Sequence, residues 1–287
     1  MSHPFVLEHP LVRDLTPFIV VTEANRPAID PAPFGLKVSR AHRFDPNRME
    51  NEAFCGLLQN LDGRTFGPEG MPMDRWVFYD CCYMPGAIFG FGRPIESVPA
   101  STREILGVPD SYRGLVPYSM YIAIPMATAD LDTSRRPGTW MGHNLASIAP
   151  KLTDESLKGL GTITKAIALR AFGTKQFFGA TQWDTHALHV HSKFGPLELH
   201  TAYTPAHSEA KTLTYAFEVT DDTLLAAMGA PGIAFDRPAP EMWIHPEDTA
   251  GMIALQDRLE AGERFLIPTA PRADGGVPIA HVADTME

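Results

Sequence analysis

One stretch, residues 158–195, constrains this chain more than any other. Gly159-Leu160-Gly161-Thr162 opens a segment of helical spacing, a β-prone run follows from Gln176 to Thr181, and a second short helical segment from Ala187 stops at Lys193-Phe194-Gly195. A glycine loop feeding a helix leaves unpaired N–H groups in the first turn, and the helix dipole adds partial positive charge there. The stretch therefore reads as an αβα unit that presents backbone amides to the phosphate of a nucleotide-containing ligand. A Gly-x-Gly pair before a helix is also an ordinary tight turn, so its surroundings must decide between the two.

Those surroundings are rich in strands. Before the unit, Gly35 to His42 alternates as a first strand, and Met49, Ala53, Phe54, Leu57, Leu58 and Leu61 have helical spacing behind Asp45 and Pro46, with Asp62-Gly63 as the stop. Trp76 to Tyr83 and Gly86 to Gly92 are aromatic and β-prone, and both read as sheet. Tyr118 to Pro125 and Trp140 to Pro150 follow as strands. After the unit, Leu197 to Tyr203 and Thr212 to Val219 alternate as two more, the second almost ideally. Residues 1–33 read as an N-terminal arm with one strand-like run, Pro17 to Thr22, 34–220 as the principal domain, and 221–287 as a C-terminal extension with helices near Leu224 and from Pro246 to Leu259, then a Gly- and Pro-rich tail. The fold class expected is α+β, a mixed and mostly antiparallel central sheet flanked by helices.

Composition narrows the function. Of 287 residues 44% are hydrophobic, enough for a substantial core, and the formal net charge of −10 without a basic run argues against nucleic acid as a partner. No apolar run is long enough to span a membrane and no leader pattern opens the chain, so a cytoplasmic protein with no membrane partner is expected. Cys55, Cys81 and Cys82 are odd in number and two are adjacent, which suits buried thiols rather than a disulfide framework.

The order of elements, together with Ile148-Ala149-Pro150 at the end of a strand, Gly159-Leu160-Gly161-Thr162, and the block from Asp184 to Gly195, resembles the GNAT superfamily of acyl-CoA-dependent acyltransferases over roughly residues 34–220. The resemblance implies acyl-CoA as co-substrate, with Ile148, Lys158, Gly159, Leu160, Gly161 and Thr162 around its pyrophosphate and Thr164 as a further hydroxyl donor. An acyl carrier protein thioester is an alternative donor. The family places an Arg or Gln where this chain has Ser156, and about three extra residues lie between Pro150 and Gly159, so a longer loop with Lys158 as its cation is expected.

The implied chemistry is direct attack of a small amine or related nucleophile on the thioester. His191 stands where the family commonly has the tyrosine that protonates the departing thiolate, a task imidazolium can perform. His143 is the expected base, with Asn144 beside it and Glu96 or Asp80 as other carboxylates in reach. Thr181 and Gln182, with Trp183, are expected beside the thioester. Each of these residues also has a structural alternative: His143 as a core histidine bonded across the sheet, His191 as one bonded to a backbone carbonyl.

Two further readings stay open. Thr181 with His191 resembles the pair in GNAT-like malonyl-CoA decarboxylases and polyketide loading domains, although Tyr203-Thr204-Pro205 replaces the Arg those domains carry. A noncatalytic coenzyme A or metabolite-binding protein is the other. His186, His189, His191, His200 and His207 invite a metal, but the spacing to Glu198 fails a cupin-type pattern and no metal is expected. Residues after Asp221 would cap the site or build a homodimer contact.

Overall fold

The computed structural model describes residues 2–70, 72–83, 86–126, 138–153, 156–207 and 209–282, with backbone alone at 69, 77, 78, 81 and 83. The chain divides into two compact units, Met1–Thr174 and Lys175–Glu287. Both are mixed α+β, each a sheet with helices, and among the described strand pairs all but one are antiparallel.

The first unit runs α1 (Pro4–Glu8), α2 (Pro10–Arg13), β1 (Thr16–Val20), β2 (Arg43–Phe44), α3 (Glu52–Phe66), α4 (Arg75–Tyr83), β3 (Ala87–Pro94), α5 (Ala100–Leu106), β4 (Leu115–Pro125), β5 (Thr139–Ser147) and α6 (Leu160–Phe172). Its strands lie in the order β2-β1-β3-β4-β5, with β1 and β2 parallel. From Leu115 to Ala123 every residue of β4 is buried, because α3 and α6 both pack against this strand. The Phe44 ring stacks on Phe54 at 3.8 Å, and Phe18 meets Phe54 edge-on at 5.0 Å, which fastens α3 to the sheet.

Helix α6 is apolar almost all round, as a helix enclosed on every side must be. One side meets β3, β4 and β5. On the other, the turn Pro33–Gly35 covers it: Arg170 lies over the Phe34 ring, and Asp30 N–H donates to Ala171 O at 2.8 Å. Burying a side chain of this size contributes roughly 1.5–3 kcal/mol, so the early residues stabilise the helix they cover.

The second unit runs β6 (Gln176–Gln182), α7 (Ala187–His191), β7 (Leu197–Thr201), β8 (Thr212–Glu218), α8 (Asp221–Ala227), β9 (Met242–Ile244), α9 (Thr249–Glu260), β10 (Arg264–Ile267) and β11 (Val277–Val282), with strands in the order β6-β8-β7-β10-β11-β9. Gly179 is required in β6, because a Cβ there would fall 2.4 Å from the Tyr215 hydroxyl. Thr220 caps α8 through a full capping box, worth about 1 kcal/mol.

The structure departs from the sequence expectations at four places. Trp76 to Tyr83 is helix α4, not a strand; Tyr79 and Cys82, three apart, turn toward the interior, with the tyrosine hydroxyl near the Cys55 thiol. Gly35 to His42 is two tight turns around an unpaired extended run, and the first strand is the one in the arm, Thr16–Val20, paired with β3. Helix α3 passes through Asp62-Gly63 to Phe66 and starts at Glu52, while Asp45 caps a turn by accepting from Asn47 N–H at 2.9 Å. The Gly- and Pro-rich tail contains β10 and β11. Cys55 and Cys82 are free, buried thiols, and burial pushes the Cys55 thiol up to about 11. No helix among the described residues is long and apolar enough to cross a membrane.

Candidate active site

Strand β5 carries the centre of the site. Its pairing with β4 runs Ile122 to Asn144 and then Ala123 to Gly142, so His143 is the extra residue of a β-bulge. A bulge leaves its extra residue out of the ladder and re-aims the side chain, and His143 is exposed. It is therefore not bonded across the sheet as a core histidine would be. Surrounding protein nonetheless holds its pKa below the ordinary 6.5, a burial effect that a hydrogen bond to its own backbone and, less, the nearby Asp62 carboxylate only partly offset. The imidazole is thus neutral at pH 7, the form that accepts a proton.

Asp62 is the candidate-site residue that sequence reasoning missed. It sits in α3 and is 1% exposed. One carboxylate oxygen accepts the backbone N–H of Met73 at 2.7 Å, and the other accepts the side-chain NH2 of Asn144. Burial raises its pKa, and the two hydrogen bonds and His143 pull the other way. Read as a helix stop, Asp62 had no visible signal; once α3 runs to Phe66, it shares a face with Phe54, Leu58 and Leu61 and must be buried.

The entry to α6 lies against β5. Gly159 adopts φ +93° as the N-cap, a conformation that favours glycine, and its carbonyl accepts Ile163 N–H at 3.1 Å. Gly161 faces β5: a side chain there would begin 3.8 Å from Leu145 and Ser147. Those positions are two and four residues from His143, about 7–13 Å at the rise of a strand. The α6 N-terminus and the bulge are thus separated along β5 by the reach of a long flexible arm. Lys158 is exposed at this entry, and Ile148 is fully buried. Leu160 is buried, and its N–H is taken by Leu157 O at 3.0 Å. Thr162 and Thr164 are buried too; the Thr164 hydroxyl is committed to Leu160 O and Ser119, so it is not a ligand donor as expected.

In the second unit, Thr181 shares a 2.6 Å hydrogen bond with Thr185, whose hydroxyl also donates to Gln182 O, so Thr181 and Gln182 belong to one tight turn after β6. Trp183 is not a contact for substrate: it is 2% exposed and its indole N–H donates to Ala202 O at 2.8 Å. His191 lies with its ring 5.2 Å from Tyr215 and 6.2 Å from Phe177, a half-buried aromatic setting. His186 and His189 stack at 5.1 Å, and among the described residues no group of three His, Cys, Asp or Glu side chains converges as a metal site. Of the other carboxylates, Glu96 is exposed on a turn and Asp80 is exposed on α4, so neither lies on a strand as expected. Two surface grooves of the first unit, of about 590 and 690 Å³, are lined by residues such as Phe44, Tyr112, Arg64 and Lys151 and include neither His143 nor Asn144.

No family model matches this sequence, and no curated protein does. Among solved structures, it is similar to a chain of the NatC complex bound to Gag peptide and CoA, at 12% identity and TM-score 0.42 over 60% of this chain and 95% of that one. An aminoglycoside 6'-acetyltransferase type Ii gives 16% identity and TM-score 0.39 over 62% and 95%. The AHL synthase LasI gives 10% and 0.32 over 65% and 92%.

Proposed function

We propose that this protein is an acyltransferase that moves an acyl group from acyl-CoA, or from an acyl carrier protein thioester, to a small amine or related nucleophile. The observation that carries the reading is the single strand β5, with a glycine-lined helix N-terminus at Leu145 and Ser147 and a bulged, exposed histidine next to Asn144. The first feature suits a pyrophosphate and the second suits chemistry at the far end of an extended arm.

In this reading Gly159 and Gly161 let the backbone approach the phosphates, and Lys158 adds charge from solvent. The arm of the thioester runs along β5. His143, neutral at pH 7, takes the proton from the attacking amine as the tetrahedral centre forms. A backbone N–H freed by the bulge is the natural donor to the developing oxyanion.

Free-thiol release from acetyl-, malonyl- and longer acyl-CoAs, with and without pooled amines, tests this. Release that needs the amine and falls at least ~100-fold in His143→Ala is expected. Thiol release without acceptor would favour hydrolysis, carbon dioxide from malonyl-CoA without thiol release would favour decarboxylation, and coenzyme A binding with neither would favour a binding protein.

A further inference from the structure

We infer that Asp62 is the specificity-determining positioning residue of this site, setting Asn144 so that it receives an amine and turns away a carboxylate. The inference rests on the acceptor role proposed for the His143–Asn144 end of β5.

The argument begins with donors and acceptors. A carboxylate only accepts, and an amide side chain has one accepting end and one donating end. Asp62 has both oxygens occupied, one by the Met73 N–H at 2.7 Å and one by the Asn144 NH2. With its NH2 held by Asp62, Asn144 must direct its Oδ1 elsewhere. Asn144 is half-exposed and neighbours the exposed bulge residue His143, so the free end of the amide is an acceptor at the open side of the site. A hydrogen-bond acceptor backed by a buried negative charge favours an N–H or an ammonium and repels a second carboxylate.

Keeping this carboxylate buried is a cost rather than a gain. It is 1% exposed, no Lys or Arg among the described residues forms an ion pair with it, and burial outweighs its hydrogen bonds in setting its proton affinity. Asparagine at the same place would make a similar pair of bonds without a charge. A charged group retained in so dry a position is better explained by what it does to Asn144 than by stability.

The consequence can be reversed by design. In Asp62→Asn the new amide offers its NH2 toward Asn144, which must rotate and present its own NH2 outward. In Asp62→Asn/Asn144→Asp the pair is exchanged, and an acceptor faces out again. The probes are n-butylamine and butyrate, measured by ligand-observed NMR at pH 7 without coenzyme A, with the melting temperature of each variant recorded. The expected results are binding of the amine over the acid by the wild type, loss of amine affinity by ~10-fold or more in Asp62→Asn, and recovery in the exchanged pair. Should Asp62→Asn not fold, Asn144→Leu must show the same loss. Equal binding of amine by all folded variants, or preference for butyrate by the wild type, would overturn the inference. Because these measurements need no acyl donor, failure of acyl transfer would leave them standing, and the two proposals fail separately.

Discussion

At the scale of residues, the account turns on His143. A histidine in an ordinary ladder position of β5 would face the neighbouring layer; displaced by one residue, it reaches the open side of the strand. Its lowered pKa makes it a base across the physiological range. The sign of the pH dependence follows: the active form is deprotonated, so kcat/KM should rise with pH and level off at a value below 6.5, the ordinary figure for histidine. In His143→Gln that acid limb should disappear along with most of the rate. A wild-type limb with its midpoint well above 6.5 would assign the proton to another group. Asp62 belongs at this scale as well: it bears on His143 by charge and on Asn144 by a hydrogen bond.

At the scale of elements, β5 and α6 make the proposed site by lying side by side. Gly161 can become alanine at ordinary contact distance from Leu145 and Ser147, whereas a branched side chain must extend into the space between helix and strand. Titration of coenzyme A should therefore show Gly161→Ala near wild type and Gly161→Val weakened by ~10-fold or more, with both variants folded. Equal affinities for all three proteins would remove the α6 entry from the ligand site. The same elements show what was legible in the sequence. The helix from Leu160 to Phe172 was plain from its glycines at both ends, and Gly173 does close it at φ +69°. The strands from Gln176 and Thr212 were plain from alternation. Helix α4 was not, because Trp76, Val77 and Phe78 carry strand propensity that tertiary packing overrides. Strand β11 was hidden by Pro278, a residue that demotes a strand, and β10 by its four-residue length. Of the site, His143, Asn144 and the glycines were readable as residue types, but Asp62 depended on knowing where α3 ends.

At the scale of the whole molecule, stability also bears on a buried lysine. Lys165 lies in α6 with 0% exposure, its Nζ 5.9 Å from the centre of the Tyr121 ring, and burial holds its pKa well below the ordinary value. The unfolded chain thus binds a proton that the folded one gives up or holds at a cost. That cost is full below the folded pKa and fades as pH rises toward the unfolded value of 10.5. Lys165→Met should raise the melting temperature at pH 7, and the difference from wild type should shrink by pH 9.5. A variant less stable at pH 7, or a difference that grows with pH, would show that the amine is stabilised in its charged form.

Acyl transfer itself is tested most directly by following both products at once, free thiol by colour and acylated amine by mass spectrometry, from one acyl-CoA and one primary amine. Equal amounts of the two, neither formed without the amine, are predicted. Thiol accumulating with no acylated amine, or loss of carbon dioxide from malonyl-CoA with the thioester intact, would contradict the account.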